Sequence, residues 1–225
     1  MDPQQRAMLE RDGTPQNTRP STPDGHAGTP VGVFAAACRY GYCEQLVERD
    51  AADGYATVGT FPAFLANRIS HTYDFTGPSI TVDTACSGAL TALSLAERAI
   101  RSGDCEIALA GAANLLSNGF NNEAYRRAGM LSPQGTSLVF DRGADGFVRG
   151  EGAGWVVLKR LDRAIEDGDP VLAVLRATAV NHGGRAAALT APNPRAQAAL
   201  VRTALDRAGL HAADLGFLEA HGTGT

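Results

Sequence analysis

Ser79-Ile80-Thr81-Val82-Asp83-Thr84-Ala85-Cys86-Ser87-Gly88-Ala89-Leu90, with the helical run that follows it to Gly103, is the stretch on which the fold of this chain turns. Ile80 to Ala85 is rich in β-branched residues, follows Gly77-Pro78, and predicts a short buried strand. Ala89, Ala92, Leu93, Ala96 and Ile100 then recur at helical spacing, with Ser94, Arg98 and Arg101 on the opposite side and Gly103 as the stop. Cys86 falls where the strand turns into the helix. Free backbone N–H groups and the positive end of a helix dipole favour a thiolate at such a junction. Ser87-Gly88-Ala89 keeps the turn small enough for the sulfur to be approached. A lone cysteine is more often a small buried hydrophobe, so position alone leaves both readings open.

Working outward, Val31–Ala37 and Ile107–Ala113 are apolar runs of strand length, consistent with burial on both faces. The segment from Ile80 through the Cys86 helix to Ala113 predicts a βαβ unit with a parallel strand pair, and Gly111-Ala112 leaves room for close backbone approach. Phe61–Ile69 predicts a helix, and Ala153–Leu158 a strand followed by a short helix over Leu161–Ile165. Val171–Val180 and Leu215–Ala220 predict two further buried strands. Between them, Asn193 as N-cap with Pro194 at the first helical position starts a helix that ends at Gly209, with Ala196, Leu200, Thr203 and Ala204 on its buried side. Residues 114–135 read as a lid-like loop with a short helix, closed by a turn at Ser132-Pro133-Gln134-Gly135. Residues 11–30 carry four prolines and three glycines with no apolar period, which is the chemistry of loop or disorder. Tyr40, Tyr42 and residues 44–53 read as mobile surface structure.

The chain of 225 residues is 44% hydrophobic and 20% charged, an ordinary globular composition. A net charge of −4 argues against nucleic acid as the main partner. No apolar run approaches the roughly 20 residues a membrane span needs, and no signal-peptide pattern opens the chain. Cys38, Cys43, Cys86 and Cys105 show no metal-ligand spacing, so no metal is expected and Cys38 and Cys43 read as structural. A cytoplasmic, reduced protein fits.

Gly77-Pro78-Ser79, Val82-Asp83-Thr84-Ala85-Cys86-Ser87 and the distant Glu219-Ala220-His221-Gly222-Thr223-Gly224-Thr225 closely resemble the β-ketoacyl synthase (ketosynthase) domain of modular polyketide synthases. Met1-Asp2-Pro3-Gln4-Gln5-Arg6, Leu65-Ala66-Asn67-Arg68-Ile69-Ser70 and Asp145-Gly146-Phe147-Val148-Arg149-Gly150-Glu151-Gly152 extend the resemblance over nearly the whole chain, apart from residues 11–30. In that segment the family has an amphipathic helix. A reading-frame slip between Glu10 and Val31, or a divergent surface loop, would account for the departure. Asp145, Arg149 and Glu151 read as a structural ion network, and His71 and His182 as surface or loop residues.

The resemblance implies an α/β, thiolase-like layered fold with mixed sheets and buried helices, truncated at both ends. The chain is expected to be a partial domain over residues 1–225, with 11–30 atypical and the second half-fold incomplete after residue 220. It implies Cys86 as the nucleophile that takes an acyl group from a carrier-protein thioester, and His221 as the group that polarises a malonyl-type thioester carbonyl. Thr223 and Thr225 would hydrogen-bond the phosphopantetheine arm. The partners implied are an acyl carrier protein and a second copy of the domain in a homodimer, with no cofactor bound by the domain itself. A second histidine and a lysine of the family are expected beyond Thr225, so the fragment alone is expected to be inactive. Two alternatives are a non-elongating, acyl-binding relative and a Cys/His hydrolase, although the latter would place an Asn or Asp beside His221.

Overall fold

The computed structural model describes residues 1–11, 23–38 and 41–225. Their strands are β1 (Val31–Ala37), β2 (Ser79–Val82), β3 (Ile107–Asn114) and β4 (Gly152–Lys159). Their α-helices are α1 (Pro3–Arg11), α2 (Tyr42–Glu48), α3 (Ala56–Thr60), α4 (Phe64–Thr72), α5 (Gly88–Ser102), α6 (Phe120–Arg127), α7 (Leu161–Glu166) and α8 (Pro194–Ala208).

Every residue of β1 is buried, and this strand organises the sheet. The order is β2-β1-β3-β4. β1 runs parallel to both β2 and β3, while β4 is antiparallel to β3. The expected βαβ crossover is present, but β1 lies between its two strands, so β2 and β3 are parallel without being neighbours. Because side chains alternate along a strand, β1 feeds two separate cores. Val33, Ala35 and Ala37 pack with Met8, Leu65 and Ile69 under α1 and α4. Phe34 and Ala36 pack with Ala92, Ala96 and Ala99 of α5 on the opposite face. The result is a helix–sheet–helix sandwich. Trp155 of β4 ties the first layer to the sheet, its Nε1–H donating to the Met8 carbonyl at 2.9 Å.

Small residues set the spacings. A Cβ on Gly111 would lie 2.4 Å from Trp155 Cε3 and 2.5 Å from the Gly154 oxygen, so β3 and β4 close only over glycine. At the end of α5, Gly103 takes φ +85°. The Gly103 N–H reaches the Ile100 carbonyl and the Asp104 N–H the Ala99 carbonyl, a Schellman cap that satisfies the last carbonyls of the helix. The start of α8 is the expected one: Asn193 Oδ1 accepts from the Arg195 and Ala196 N–H groups at 3.1 and 3.3 Å. Asn193→Ala should therefore cost about 1 kcal/mol, read as a lower urea midpoint with an unchanged slope.

Several expectations need correction. Val171–Val180 and Leu215–Ala220 form no strand; a strand exists only through a hydrogen-bonded neighbour, and neither segment has one among the described residues. Leu172 and Phe217 are accordingly 88% and 79% exposed. The first of these segments is held instead by side chains: Thr178 Oγ1 is hydrogen-bonded to Ser94 Oγ and to the Glu97 carboxylate of α5, and Arg207 of α8 donates to the Thr178 carbonyl. That contact buries Ser94, which its helical position had placed on the outer side. On α8, Ala196, Leu200 and Ala204 are half-buried, but Thr203 is exposed. The strand before Cys86 stops at Val82, and the helix expected over 61–69 begins at Phe64. Part of 44–53, expected as mobile surface structure, lies at the surface as the helix α2. Tyr40 and residues 12–22 lie outside the described residues, so most of the loop or disorder expected for 11–30 does too; Pro23–His26 form one 3-10 turn before β1.

Candidate active site

The chain leaves β2 at Val82 and enters α5 at Gly88 through a single 3-10 turn, Ala85–Ser87, that carries Cys86. Local side chains fix this turn. Asp83 Oδ1 accepts from the Ala85 N–H at 2.9 Å, and Ser87 Oγ lies 2.9 Å from the Thr84 carbonyl and 3.0 Å from Thr84 Oγ1. Thr84 Oγ1 is also 3.0 Å from Thr91 Oγ1 on the first turn of α5. Ala85 is forced to φ +52°, in the left-handed region that costs a residue with a Cβ about 1–2 kcal/mol. Such strain, held by several hydrogen bonds, throws Cys86 outward. The thiol is exposed, not the buried hydrophobe that a lone cysteine usually becomes.

Cys86 lines a cavity of about 730 Å³. Its floor is made by the carboxyl ends of the three parallel strands: Ala36 and Ala37 of β1, Val82 of β2, and Ala112 to Asn114 of β3. Ligands of α/β sheets bind at this edge. The far wall comes from α6 and the segment 147–152. Tyr125 meets Phe147 edge-on, with centroids 5.8 Å apart, and the Arg149 guanidinium lies 5.3 Å from the Tyr125 ring centroid. Asn114 Nδ2 donates to the Gly150 carbonyl at 2.6 Å, and Glu151 Oε1 accepts from the Leu116 N–H at 2.5 Å.

These partners replace the expected ion network. Asp145 bonds Gln134, Arg149 stacks on Tyr125, and Glu151 holds a backbone N–H. No ion pair joins the three among the described residues. Cys38 also lines the cavity, half-buried, while Cys43 is exposed on α2. Neither is the structural cysteine their spacing suggested; Cys105, 2% exposed, is. Burial pushes the Cys38 thiol up, and Asp83 and Cys86 add to the shift. Tyr125 and Cys38 were missed from sequence. The available signal was slight: Asn121 and Tyr125, four apart on one helix, both face the cavity.

The C-terminal motif reaches the rim of this cavity by a backbone bond. The Gly146 N–H donates to the Gly224 carbonyl at 3.1 Å, and the next residue, Phe147, is part of the lining. Thr223 and Thr225 hydroxyls lie 2.8 Å apart. His221 is exposed and falls outside the lining, so the two residues singled out for catalysis do not share the cavity here. His182 is a loop residue, its Nδ1 accepting from the Gly184 N–H at 2.9 Å. No group of three His, Cys, Asp or Glu side chains among the described residues could hold a metal. No helix among them is long and apolar enough to cross a membrane.

The β-ketoacyl synthase N-terminal domain matches residues 1–164, and the β-ketoacyl synthase C-terminal domain matches residues 172–225. The chain belongs to the β-ketoacyl synthase family. Polyketide synthase ThaG of Burkholderia thailandensis is 47% identical over the whole of this chain, which spans 4% of that protein. The lovastatin diketide synthase mokB of Monascus pilosus is 42% identical, with this chain spanning 9% of it. Among solved structures, the oxazolomycin ketosynthase domain OzmH KS7 of Streptomyces albus superposes with a TM-score of 0.86 at 44% identity, and the module 6 ketosynthase of the Bacillus subtilis bacillaene synthase with 0.91 at 33%. Both comparisons cover all of this chain and 39% of the other. The sandwich described above is therefore part of a ketosynthase, thiolase-like fold, and this β-ketoacyl synthase chain is a partial ketosynthase domain of polyketide synthase type.

Proposed function

We propose that this chain supplies the acyl-accepting half of a ketosynthase that joins carrier-bound acyl and malonyl-type units in polyketide assembly. The observation that carries the proposal is the exposed Cys86, held by a strained turn over a cavity at the carboxyl ends of three parallel strands. The Cys86 sulfur attacks the acyl thioester carbonyl; the carrier's phosphopantetheine thiol leaves and the acyl group stays on Cys86. A malonyl-type thioester then loses carbon dioxide, and the electron pair of the broken C–C bond becomes an enolate. That carbanion attacks the Cys86 thioester, forms the new C–C bond and releases the sulfur. His221 donates a hydrogen bond to the malonyl thioester oxygen as charge develops, and the Cys86 N–H serves the oxyanion formed at the acyl carbonyl. Thr223 and Thr225 bond the phosphopantetheine arm at the rim.

An acyl carrier protein is the partner that presents both substrates, and the domain binds no cofactor of its own. β2 is an edge strand of the sheet and Ile80 on it is 39% exposed, which suits a homodimer joined along that edge. A cytoplasmic location accords with this chemistry.

One observation favours a second reading. His221 outside the cavity lining suits a module that loads and passes on acyl chains without elongating them. The polyketide synthase that carries this chain, given acyl and malonyl carrier thioesters, separates the readings. Carbon dioxide and a β-ketoacyl product are expected. Acyl loading without carbon dioxide would favour the second reading, and free carboxylic acid would instead indicate a hydrolase.

A further inference from the structure

Cys38 is a nucleophile that the condensation leaves unused, and it lies in the same cavity as the one that is used. The topology explains why. Ala36 of β1 pairs with Val82 of β2, and adjacent strands run about 4.8 Å apart. The chain then turns back over the end of β1, so closely that a Cβ on Gly88 would sit 3.0 Å from the Ala36 Cβ. Cys86 is two residues before that contact on one chain segment, and Cys38 is two residues after it on the other. Cys38 also lies beyond the last residue of β1, outside regular structure, so it can move without breaking a ladder.

We propose that Cys38 and Cys86 together form an oxidation site, at which a peroxide converts the two thiols into an intramolecular disulfide. The exposed Cys86 sulfur attacks the peroxide; the O–O bond breaks, sulfur is oxidised to a sulfenic acid and water leaves. Cys38 then attacks that sulfenic sulfur, an S–S bond forms, and the sulfenic oxygen departs as a second water with the Cys38 proton. One peroxide is reduced by two electrons and two thiols are oxidised, with nothing left over. Burial holds Cys38 protonated, which leaves the first attack to Cys86. A disulfide needs α-carbons roughly 4–7 Å apart, and Cys38 and Cys86 line one cavity, each two residues from the close approach of Gly88 to Ala36.

The other two cysteines are internal controls. Cys105 packs against Gly32 at the opposite end of β1, where a Gly32 Cβ would lie 2.9 Å from its sulfur. Six residues of strand, about 20 Å, separate it from Cys38. Cys43 is exposed on α2 and does not line the cavity. The bond protects Cys86 by stopping its oxidation at a reversible stage.

The test is to treat the intact synthase that carries this chain with hydrogen peroxide, alkylate the remaining thiols and map the peptides by mass spectrometry. A Cys38–Cys86 linked peptide that disappears on reduction is expected, with Cys43 and Cys105 alkylated. Cys43→Ser should leave the linked peptide in place. Cys38→Ser should abolish it and send Cys86 on to sulfinic and sulfonic acids that dithiothreitol does not reverse. A Cys43–Cys86 peptide would overturn the proposal, as would irreversible oxidation of Cys86 beside a free Cys38 in the unaltered chain. Acyl transfer is not read in this experiment, so its outcome is separate from that of the proposed condensation.

Discussion

His221→Ala is expected to leave acyl loading of Cys86 near its starting rate while lowering β-ketoacyl formation about 10²–10³-fold, the usual cost of removing one donor aimed at developing charge. The split follows from the division of labour proposed above. Loading needs the sulfur, its turn and an oxyanion donor, all of which belong to the β2–α5 junction. Condensation additionally places negative charge on the malonyl thioester oxygen, and that is where the imidazole acts. The two quantities are read separately in the intact synthase, as acyl mass on the Cys86 peptide and as carbon dioxide with extended product. Equal loss of both would show that His221 works on the Cys86 sulfur instead. An unchanged product rate would remove His221 from the mechanism.

Gly77→Ala should be strongly destabilising, because the clash falls on the central strand. The new Cβ would stand 2.5 Å from the Val31 oxygen, 2.6 Å from its carbonyl carbon and 2.9 Å from the Gly32 nitrogen. All three atoms are backbone of β1, so no rotamer relieves the clash. β1 must shift, and with it the ladders to β2 and β3 and both cores that it feeds. Overpacking commonly costs 1–3 kcal/mol, and a displaced central strand puts this case at roughly 3 kcal/mol or above. Gly103→Ala is the comparison: nothing lies within 4 Å of its Cβ, and only its φ of +85° opposes the change. That variant should lose about 1–2 kcal/mol. Urea unfolding of the two side by side checks the order; equal losses would mean that the approach of Gly77 to β1 is not what positions β2.

The sheet was legible where burial on both faces left a continuous apolar run, as in β1 and β3. The same signal misled at Val171–Val180 and Leu215–Ala220, because composition records a segment's wish to be covered and not the presence of a pairing neighbour. α2 escaped notice for the opposite reason: none of its residues is buried, so it carries no apolar period. Ser94 looked like an outward polar residue until Thr178 closed over it, a contact across 84 positions that no local pattern encodes. The capped ends of α5 and α8 were read correctly, since Gly103, Asn193 and Gly209 act through their own backbone geometry.

At the site, Cys86 could be found because a strand–helix turn is a local feature. Cys38 could not, because its distance from Cys43 in sequence says nothing of the cavity it lines. Residues 149–151 show a related limit. Their charges suggested ion pairs, but Arg149 lies over the Tyr125 ring and Glu151 accepts from the Leu116 N–H, partners brought in from other segments.

The most direct measurement is to mix the chain, in its intact synthase, with an acyl-pantetheine thioester, quench in acid and locate the acyl mass by peptide mapping. The account predicts the acyl group on Cys86, and its disappearance in Cys86→Gln. An acyl group found on another residue, or one that persists in the Gln variant, would contradict it.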